Sequence, residues 1–441
     1  MTPTVVVAHG VGGRQDLPIP FGLAVAGAVT ALVVSFLVLR VAWRRSRFRG
    51  DRSGRPLPVA VTRAADSPWT RWALRLLGLV AGAYVALGAV AGPDLATNPT
   101  AGVVYVLLWV GMVPLSLLFG PVWRLVNPLR TLHLLLCRAV RLDPAVGLRS
   151  LPAGAGLWPA AAWLAAFTWL ELVAPDRATL PVIRAWFAVF VGVTALGAVV
   201  FGSRWFDHAD PFEAYSSLVA RLSWLGRRHD GRLVARNPLE NLDVTPPWPG
   251  LTATVAVLLG STMFDSASAS PWWARWVQES GLPPTLAGTV GLLTAMLLVY
   301  LTFTLAVRWT AALAGSDRRG LSDLFAHSVV PIVVGYVSAH YLTLFVLEGQ
   351  RTVVLLADPL GTGANWLGTA GLAENRWIAG QPTLVASIQV AAIVVGHVLG
   401  IVSAHDRAVR LFPAARPDCQ LPLLVVMVCY TVGGLLLLFA A

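Results

Sequence analysis

Residues 21–50 read FGLAVAGAVTALVVSFLVLRVAWRRSRFRG, an apolar run that ends in a cluster of arginines. The run contains no charged side chain before Arg40, and a helix needs about 20 mostly apolar residues to cross a bilayer. The arginines that follow are costly to place in hydrocarbon, so they mark the point where the chain leaves the membrane. This stretch therefore predicts a transmembrane helix followed by a basic connection.

The same kind of apolar run recurs along the whole chain and decides the fold class. Hydrophobic residues make up 56% of the sequence and charged residues only 12%, with a mean hydropathy of +0.69. Soluble domains have about twice that charged fraction, at about 25%. We predict an all-α, polytopic transmembrane helix bundle of about ten spans. The predicted spans are residues 20–43, 72–91, 101–119, 157–174, 182–201, 251–269, 285–307, 324–347, 383–404 and 421–441.

The arginines predict how the chain is threaded, because they fall mainly in alternate connections. The connection after the first span carries a dense cluster from Arg44 to Arg63, whereas the connection after the second carries none. Basic connections are retained on the cytoplasmic side during insertion. We therefore expect the 44–71 and 202–250 connections to be cytoplasmic and both termini to be extracytoplasmic.

The formal net charge of +11 comes entirely from arginine, since the chain contains no lysine. Basic cytoplasmic loops of membrane proteins face anionic lipid headgroups, which accounts for this charge without a nucleic-acid partner. We expect the bilayer and its anionic headgroups as partners, no nucleic acid, and a place in the bacterial inner membrane.

The domain organisation predicted from these patterns is simple. Residues 1–19 form an extracytoplasmic arm and residues 20–441 a single transmembrane domain. Two amphipathic stretches, 128–142 and 211–225, are expected to lie along the cytoplasmic interface as helices. Each follows a Phe-Gly-x-x-Trp sequence and an Asn-Pro or Asp-Pro pair, so Asn127 and Asp210 are expected helix N-caps. This repetition is compatible with duplication of a unit of several spans, which stays an open alternative.

Polar residues within the predicted spans are candidate functional residues, because burying them in hydrocarbon must be compensated. The threading brings one group of them to a similar depth in the outer half of the membrane. That group contains Asp265, Tyr336, His340, Tyr341 and Gln389, with Glu348 near the outer boundary. A second group, near the cytoplasmic end, contains His327, His397 and His405.

Three kinds of chemistry fit these groups. Imidazoles with carboxylates bind zinc and other divalent metals, and His340, Asp265 and His9 of the arm share the outer face as candidate ligands. Paired histidines on separate spans also ligate haem. The third interpretation is that each polar residue makes an interhelical hydrogen bond that fixes packing.

Several segments together resemble the fenitrothion hydrolase family of multi-pass bacterial membrane proteins. They are AHGVGGRQDLPIP (8–20), NPLR (127–130), TMFDSASASPWW (262–273), SAHYLTLFVLEGQ (338–350) and AHDRA (404–408). The resemblance spans most of the chain, although Ser266 stands where the relatives have glycine. It implies hydrolysis of an organophosphate triester. It supplies no catalytic motif, so the catalytic residues stay unknown.

Two classes of function follow from the sequence. In the first, the outward-facing group, with a divalent metal, activates water against a phosphotriester-like substrate. In the second, the same residues handle a metal ion, haem or small solute in a membrane transporter without hydrolytic activity.

Overall fold

The computed structural model describes residues 13–413 and 417–439, and nearly all of its regular structure is helical. In chain order the helices are α1 (Phe21–Ala42), α2 (Val59–Asp66), α3 (Pro68–Ala91), α4 (Thr100–Gly102), α5 (Met112–Phe119), α6 (Trp123–Val126), α7 (Pro128–Ala139), α8 (Trp158–Leu172), α9 (Leu180–Phe201), α10 (Arg204–Ala209), α11 (Pro211–Val219), α12 (Pro238–Asp243), α13 (Leu251–Ser268), α14 (Pro271–Ser280), α15 (Pro284–Leu313), α16 (Leu321–Phe325), α17 (Val330–Leu355), α18 (Pro382–Leu411) and α19 (Leu421–Leu438). A π-helix at Val103–Val110 joins α4 to α5. Short 3-10 helices lie at Arg14–Asp16, Gly50–Arg52, Ala220–Leu222, Ala326–Val329, Trp377–Gly380 and Pro417–Gln420.

Eight helical stretches of the described chain are long and apolar enough to cross a membrane. They are α1, α3, Thr100–Phe119, α9, α15, Leu321–Leu355, α18 and Asp418–Leu438. Many of their large apolar side chains are exposed, such as Leu76, Leu77 and Val80 on α3. Lipid tails are as apolar as leucine, so such faces suit a bilayer. The predicted all-α, multi-pass class is confirmed at this level.

The two remaining predicted spans form α8 and α13, which have 15 and 18 residues. At ~1.5 Å per residue, α8 is about 22 Å long, less than the ~30 Å of a hydrocarbon core. α13 carries Thr252, Ser261 and Asp265 among its apolar residues, and most of the helix is buried. It packs against α8, α15 and α17, which shield these polar groups from lipid. The count of ten spans stays a prediction.

A small antiparallel sheet, which the sequence analysis did not predict, joins two of the arginine-rich connections. Strand β1 (Arg55–Pro56) lies after the first span, and β2 (Leu225–Arg227) and β3 (Leu233–Ala235) lie after the fifth. The strand order is β1-β3-β2. Because strands pair only when they are neighbours, these two connections lie on the same side of the bundle, as the threading requires.

The two amphipathic stretches differ from each other in the structure. Asn127 caps α7 by accepting bonds from the next two backbone N–H groups at 3.0 and 3.1 Å, and Asp210 caps α11 by accepting from Glu213 N at 2.9 Å. Helix α7 keeps an exposed apolar face with Leu132 and Leu136. Its orientation to the membrane stays a prediction.

The expectation of one surface helix over residues 211–225 was wrong. Helix α11 ends at Val219 and is almost wholly buried. Its aromatic residues explain the burial, since the Phe212 ring lies 5.2 Å from that of Phe167, and Tyr215 lies 4.7 Å from Trp109. Helix α11 is therefore part of the packed interior.

The predicted N-terminal arm, residues 1–19, is only partly described. Its described part contains the 3-10 helix Arg14–Asp16, and the Arg14 guanidinium lies 4.7 Å from the centre of the Phe21 ring. His9 lies outside the described residues, so its predicted role as a metal ligand stays a prediction.

Candidate functional site

The centre of the candidate site is a contact between α13 and α17. His340 Nε2 lies 2.8 Å from Asp265 Oδ2, and the two side chains are only 8% and 7% exposed. The Tyr341 hydroxyl donates to the same carboxylate oxygen at 2.7 Å. Two donors on one oxygen of a buried carboxylate compensate much of the cost of removing it from water.

A second set of bonds fixes the other edge of the His340 ring. Its Nδ1 lies 3.1 Å from Ser266 Oγ, and the Tyr336 hydroxyl donates to that same Oγ at 3.0 Å. Because Ser266 Oγ accepts from Tyr336, its own proton is available for Nδ1 of His340. The Nε2 proton then points at Asp265, which defines one tautomer for the ring.

Glu171 on α8 adds a third helix to this site. It lies close enough to Asp265 for the two charges to interact, and its Oε2 is buried with no hydrogen-bond partner among the described residues. The hydroxyl of Tyr215 is likewise buried without a partner in the described chain, within electrostatic range of Glu171 and Tyr341. Helices α8, α11, α13 and α17 thus bring ionisable groups together.

The other two predicted outer residues lie at the margin of this site. Gln389 Nε2 donates to the backbone oxygen of Ala339, the residue before His340, at 3.1 Å. Glu348 lies two turns further along α17, half-exposed, with its carboxylate 3.7 Å from Arg351. The structure brings Asp265, Tyr336 and His340 together, places Gln389 beside them and leaves Glu348 outside.

Sequence analysis missed Glu171 and Tyr215, although a signal for Glu171 was present. It is a lone carboxylate in the apolar run 157–174, the same signal that selected Asp265. Tyr215 was missed because α11 was expected on the surface, where a tyrosine needs no partner.

The three histidines of the cytoplasmic group do not form one site. His327 Nδ1 lies 3.0 Å from Leu324 O, and His397 Nδ1 lies 2.8 Å from Ile393 O. His405 lies between Gln420 Oε1 at 2.9 Å and Trp43 O at 3.0 Å. Each ring has its own partners, and those of His405 come from other segments of the chain.

The residues after His405 tie the arginine-rich connections to α18. Asp406 accepts bonds from Trp43 Nε1 at 2.8 Å and from Ser46 Oγ at 2.7 Å. Arg407 donates to the backbone oxygen of Asp243 at 2.8 Å and lies 3.2 Å from its carboxylate. These bonds explain the AHDRA segment as an anchor for two of the arginine-rich connections.

A metal or haem site is not identified by this geometry. Within residues 13–413 and 417–439, no three His, Cys, Asp or Glu side chains are grouped so that they could hold a metal ion. A divalent metal such as zinc, and haem, therefore stay predictions.

A second polar cluster, also missed by sequence analysis, lies where α7, α10 and α11 meet. Arg130 donates to Glu213 at 2.7 and 3.1 Å and to Asp207 at 2.9 Å. Asn127 donates to Asp210 at 2.8 Å, so the two predicted N-caps are bonded to each other. Burial raises the pKa of Glu213 to about 8, against the lowering effect of the Arg130 guanidinium. Burial also raises the pKa of Asp210.

No protein-family model, no curated protein and no solved structure matches this chain. The resemblance to the fenitrothion hydrolase family stays a prediction, and function is argued from the site alone.

Proposed function

We propose that this is a ten-span inner-membrane protein, with both termini outside, that moves protons, alone or coupled to a small solute. The observation that carries the proposal is the buried group of Glu171, Asp265 and His340 on three helices. Ionisable residues inside a membrane protein are costly and mark proton and ion pathways.

The chemistry of these groups suits proton transfer. A carboxylate, an imidazole and phenols at hydrogen-bond distance pass a proton without a large movement of heavy atoms. Asp265 sits at the junction, since it bonds His340 and Tyr341 and lies within electrostatic range of Glu171. The unpartnered oxygen of Glu171 is an acceptor that a proton or a water molecule would satisfy.

Helix α11 extends this group toward the arginine-rich side. Tyr215 lies within electrostatic range of Glu171 and is the residue of α11 that the proposed path reaches. Glu213 of the second cluster is two residues earlier on the same helix, about 200° around its axis, so the two side chains do not face each other. Glu213 is a separate proton donor or acceptor near neutral pH, because its pKa is raised to about 8.

A phosphotriester hydrolase is the second candidate, and one observation favours it. Ser266, His340 and Asp265 form a continuous chain of hydrogen bonds. In such an arrangement Ser266 Oγ attacks phosphorus, its proton passes to His340 Nδ1, and Asp265 holds the ring. The bond from phosphorus to the leaving alkoxide or phenoxide breaks, the leaving group takes the proton from His340, and water then hydrolyses the phosphoserine ester. The burial of Asp265 and His340 weighs against it, because a triester must reach the nucleophile.

Proteoliposomes test the two proposals side by side. Proton movement is followed with an internal pH-sensitive dye under an imposed potential, and hydrolysis with a chromogenic phosphotriester. We expect Asp265→Asn and Glu171→Gln to abolish proton movement, and Glu348→Gln, which lies outside the group, to preserve it. The hydrolase would be established instead if the wild-type protein moves no protons but hydrolyses the triester, and if Ser266→Ala abolishes that hydrolysis.

A further inference from the structure

A cavity of about 100 Å³ lies beside the second polar cluster. It opens where α6, α10 and α11 approach the start of α13. Its polar lining includes Arg124, Asp207, Glu213, Ser217, Arg221 and Trp248. At ~30 Å³ per water molecule, this volume holds about three waters or one small polyatomic ion.

The charges around the cavity are not balanced. Arg130 and Arg124 both contact Asp207, at 2.9 and 3.1 Å, and Arg130 also forms an ion pair with Glu213. Arg221, by contrast, makes no hydrogen bond or ion pair with any residue in the described chain, and it is half-buried. An unpaired guanidinium that is partly removed from water favours a counter-charge.

The neighbourhood of Arg221 adds positive charge rather than removing it. Arg236 interacts electrostatically with Arg221, and it donates to neutral acceptors, including Arg227 O at 2.9 Å and Asn241 Oδ1 at 3.0 Å. Ser217 and Trp248, which line the same cavity, have donors that no described residue uses. The cavity thus offers donors and a surplus of positive charge.

We propose that this cavity binds a small oxyanion, of the phosphate or carboxylate class, with Arg221 as its principal partner. Arginine presents planar donors that match carboxylate and phosphate oxygens. Arg124, whose side chain is 55% exposed, lies at the mouth, where it supplies a second guanidinium. The proposal does not depend on proton movement, since it rests on the cavity and its charges.

Inorganic phosphate is the probe, and the purified full chain is titrated by calorimetry and by thermal unfolding. We expect saturable binding and a rise in the unfolding temperature that sodium chloride of equal ionic strength does not give. Arg221→Gln should weaken binding about tenfold or more, and Arg221→Lys should retain part of it. Arg232→Gln, an exposed arginine in the same connection, is the matched control and should bind like wild type.

Two nanodisc arms distinguish the source of the oxyanion. Phosphate binding that is equal in phosphatidylcholine discs and in discs with phosphatidylglycerol assigns the cavity to a free anion. The cavity is assigned to a lipid headgroup phosphate if two results are found together. Phosphatidylglycerol abolishes the binding of free phosphate, and native mass spectrometry shows lipid retained by wild type but not by Arg221→Gln. The proposal is overturned if wild type shows no saturable response in either disc and no retained lipid, or if Arg221→Gln matches wild type. A normal unfolding temperature of Arg221→Gln without ligand shows that the variant is folded.

Discussion

Asp265 and His340 lie 75 residues apart in the sequence, yet their side chains meet at 2.8 Å between α13 and α17. The contact joins α13 to α17, which lies in a stretch long enough to span the membrane, so its energy reports on both packing and function. Interhelical hydrogen bonds in membrane proteins have measured coupling energies that average about 0.6 kcal/mol and reach about 1.7 kcal/mol.

The first prediction is a double-mutant cycle on this pair. With Asp265→Ala, His340→Ala and the double variant unfolded in mixed micelles, we expect a coupling energy of about 1–2 kcal/mol. The upper part of the range is expected because Tyr341 shares the same carboxylate oxygen and rigidifies it. The same cycle on Glu348 and Arg351, 3.7 Å apart and partly exposed, should give a value near zero.

The second prediction concerns pH and Glu213. Burial raises its pKa from 4.5 to about 8, so the folded protein holds this proton more tightly than the unfolded chain does. The stability that Glu213 contributes is therefore fully present below the pKa that it has in the unfolded chain, and it is lost as the pH rises through about 8. The unfolding temperature of wild type should fall relative to that of Glu213→Gln between about pH 5 and about pH 9.

The exposed acid Glu279 on α14 supplies the control for this pH series. The unfolding temperature of Glu279→Gln should run parallel to that of wild type over the whole pH range. Parallel curves for Glu213→Gln as well would show that Glu213 is ionised throughout, and the raised pKa would be wrong.

The third prediction tests the close packing of α17 on α18. A Cβ on Gly396 would lie 2.5 Å from Pro331 O, and one on Gly335 would lie 2.5 Å from Ala392 O. Gly396→Ala must push the helices apart, so we expect a loss of about 1–3 kcal/mol in unfolding free energy. Gly433→Ala, where a Cβ meets nothing within 4 Å, should be neutral or slightly stabilising. Equal effects of both substitutions would contradict the packing.

The fourth prediction is topological. In a background with Cys137, Cys419 and Cys429 replaced, a cysteine at Thr97 should react with an impermeant maleimide on intact cells, and one at Ser53 should not. Thr97 is exposed between α3 and α4, and Ser53 lies beside the sheet that joins two arginine-rich connections. Labelling at position 53 and not at position 97 would show that the chain is threaded in the opposite orientation.

The sequence predicted much of the fold because hydropathy and arginine distribution act along the chain. The predicted threading also placed Asp265, Tyr336 and His340 at a similar depth in the membrane. It did not predict partners, because depth says nothing about which face of a helix meets which neighbour. Gln389 was expected at the depth of His340 and bonds the backbone of its helix, whereas Glu348, two turns further along α17, faces Arg351.

The second cluster shows a different reason for failure. The apolar spacing of α11 fits an interfacial helix and also a buried helix whose polar residues have protein partners. Contacts with distant parts of the chain distinguish the two, such as that of Glu213 with Arg130, 83 residues earlier. Such non-local pairs leave no periodic signal in the sequence. The grouping of His405 with His327 and His397 failed for the same reason, because the partners of His405, Trp43 and Gln420, come from other segments.

The last prediction separates the outer group from the histidines nearer the arginine-rich side. His397 is buried, its Nδ1 bonds Ile393 O at 2.8 Å, and its Nε2 has no partner among the described residues. Of these two histidines, His340 is the one bonded to Asp265. His340→Ala should therefore reduce proton movement by about two orders of magnitude, as expected for loss of a proton-transferring group, while His397→Ala should stay near wild type. Insertion and yield of both variants should be near normal. If His397→Ala is as damaging as His340→Ala with stability intact in both, the path runs through α18 as well, and the route through Tyr215 and α11 is wrong.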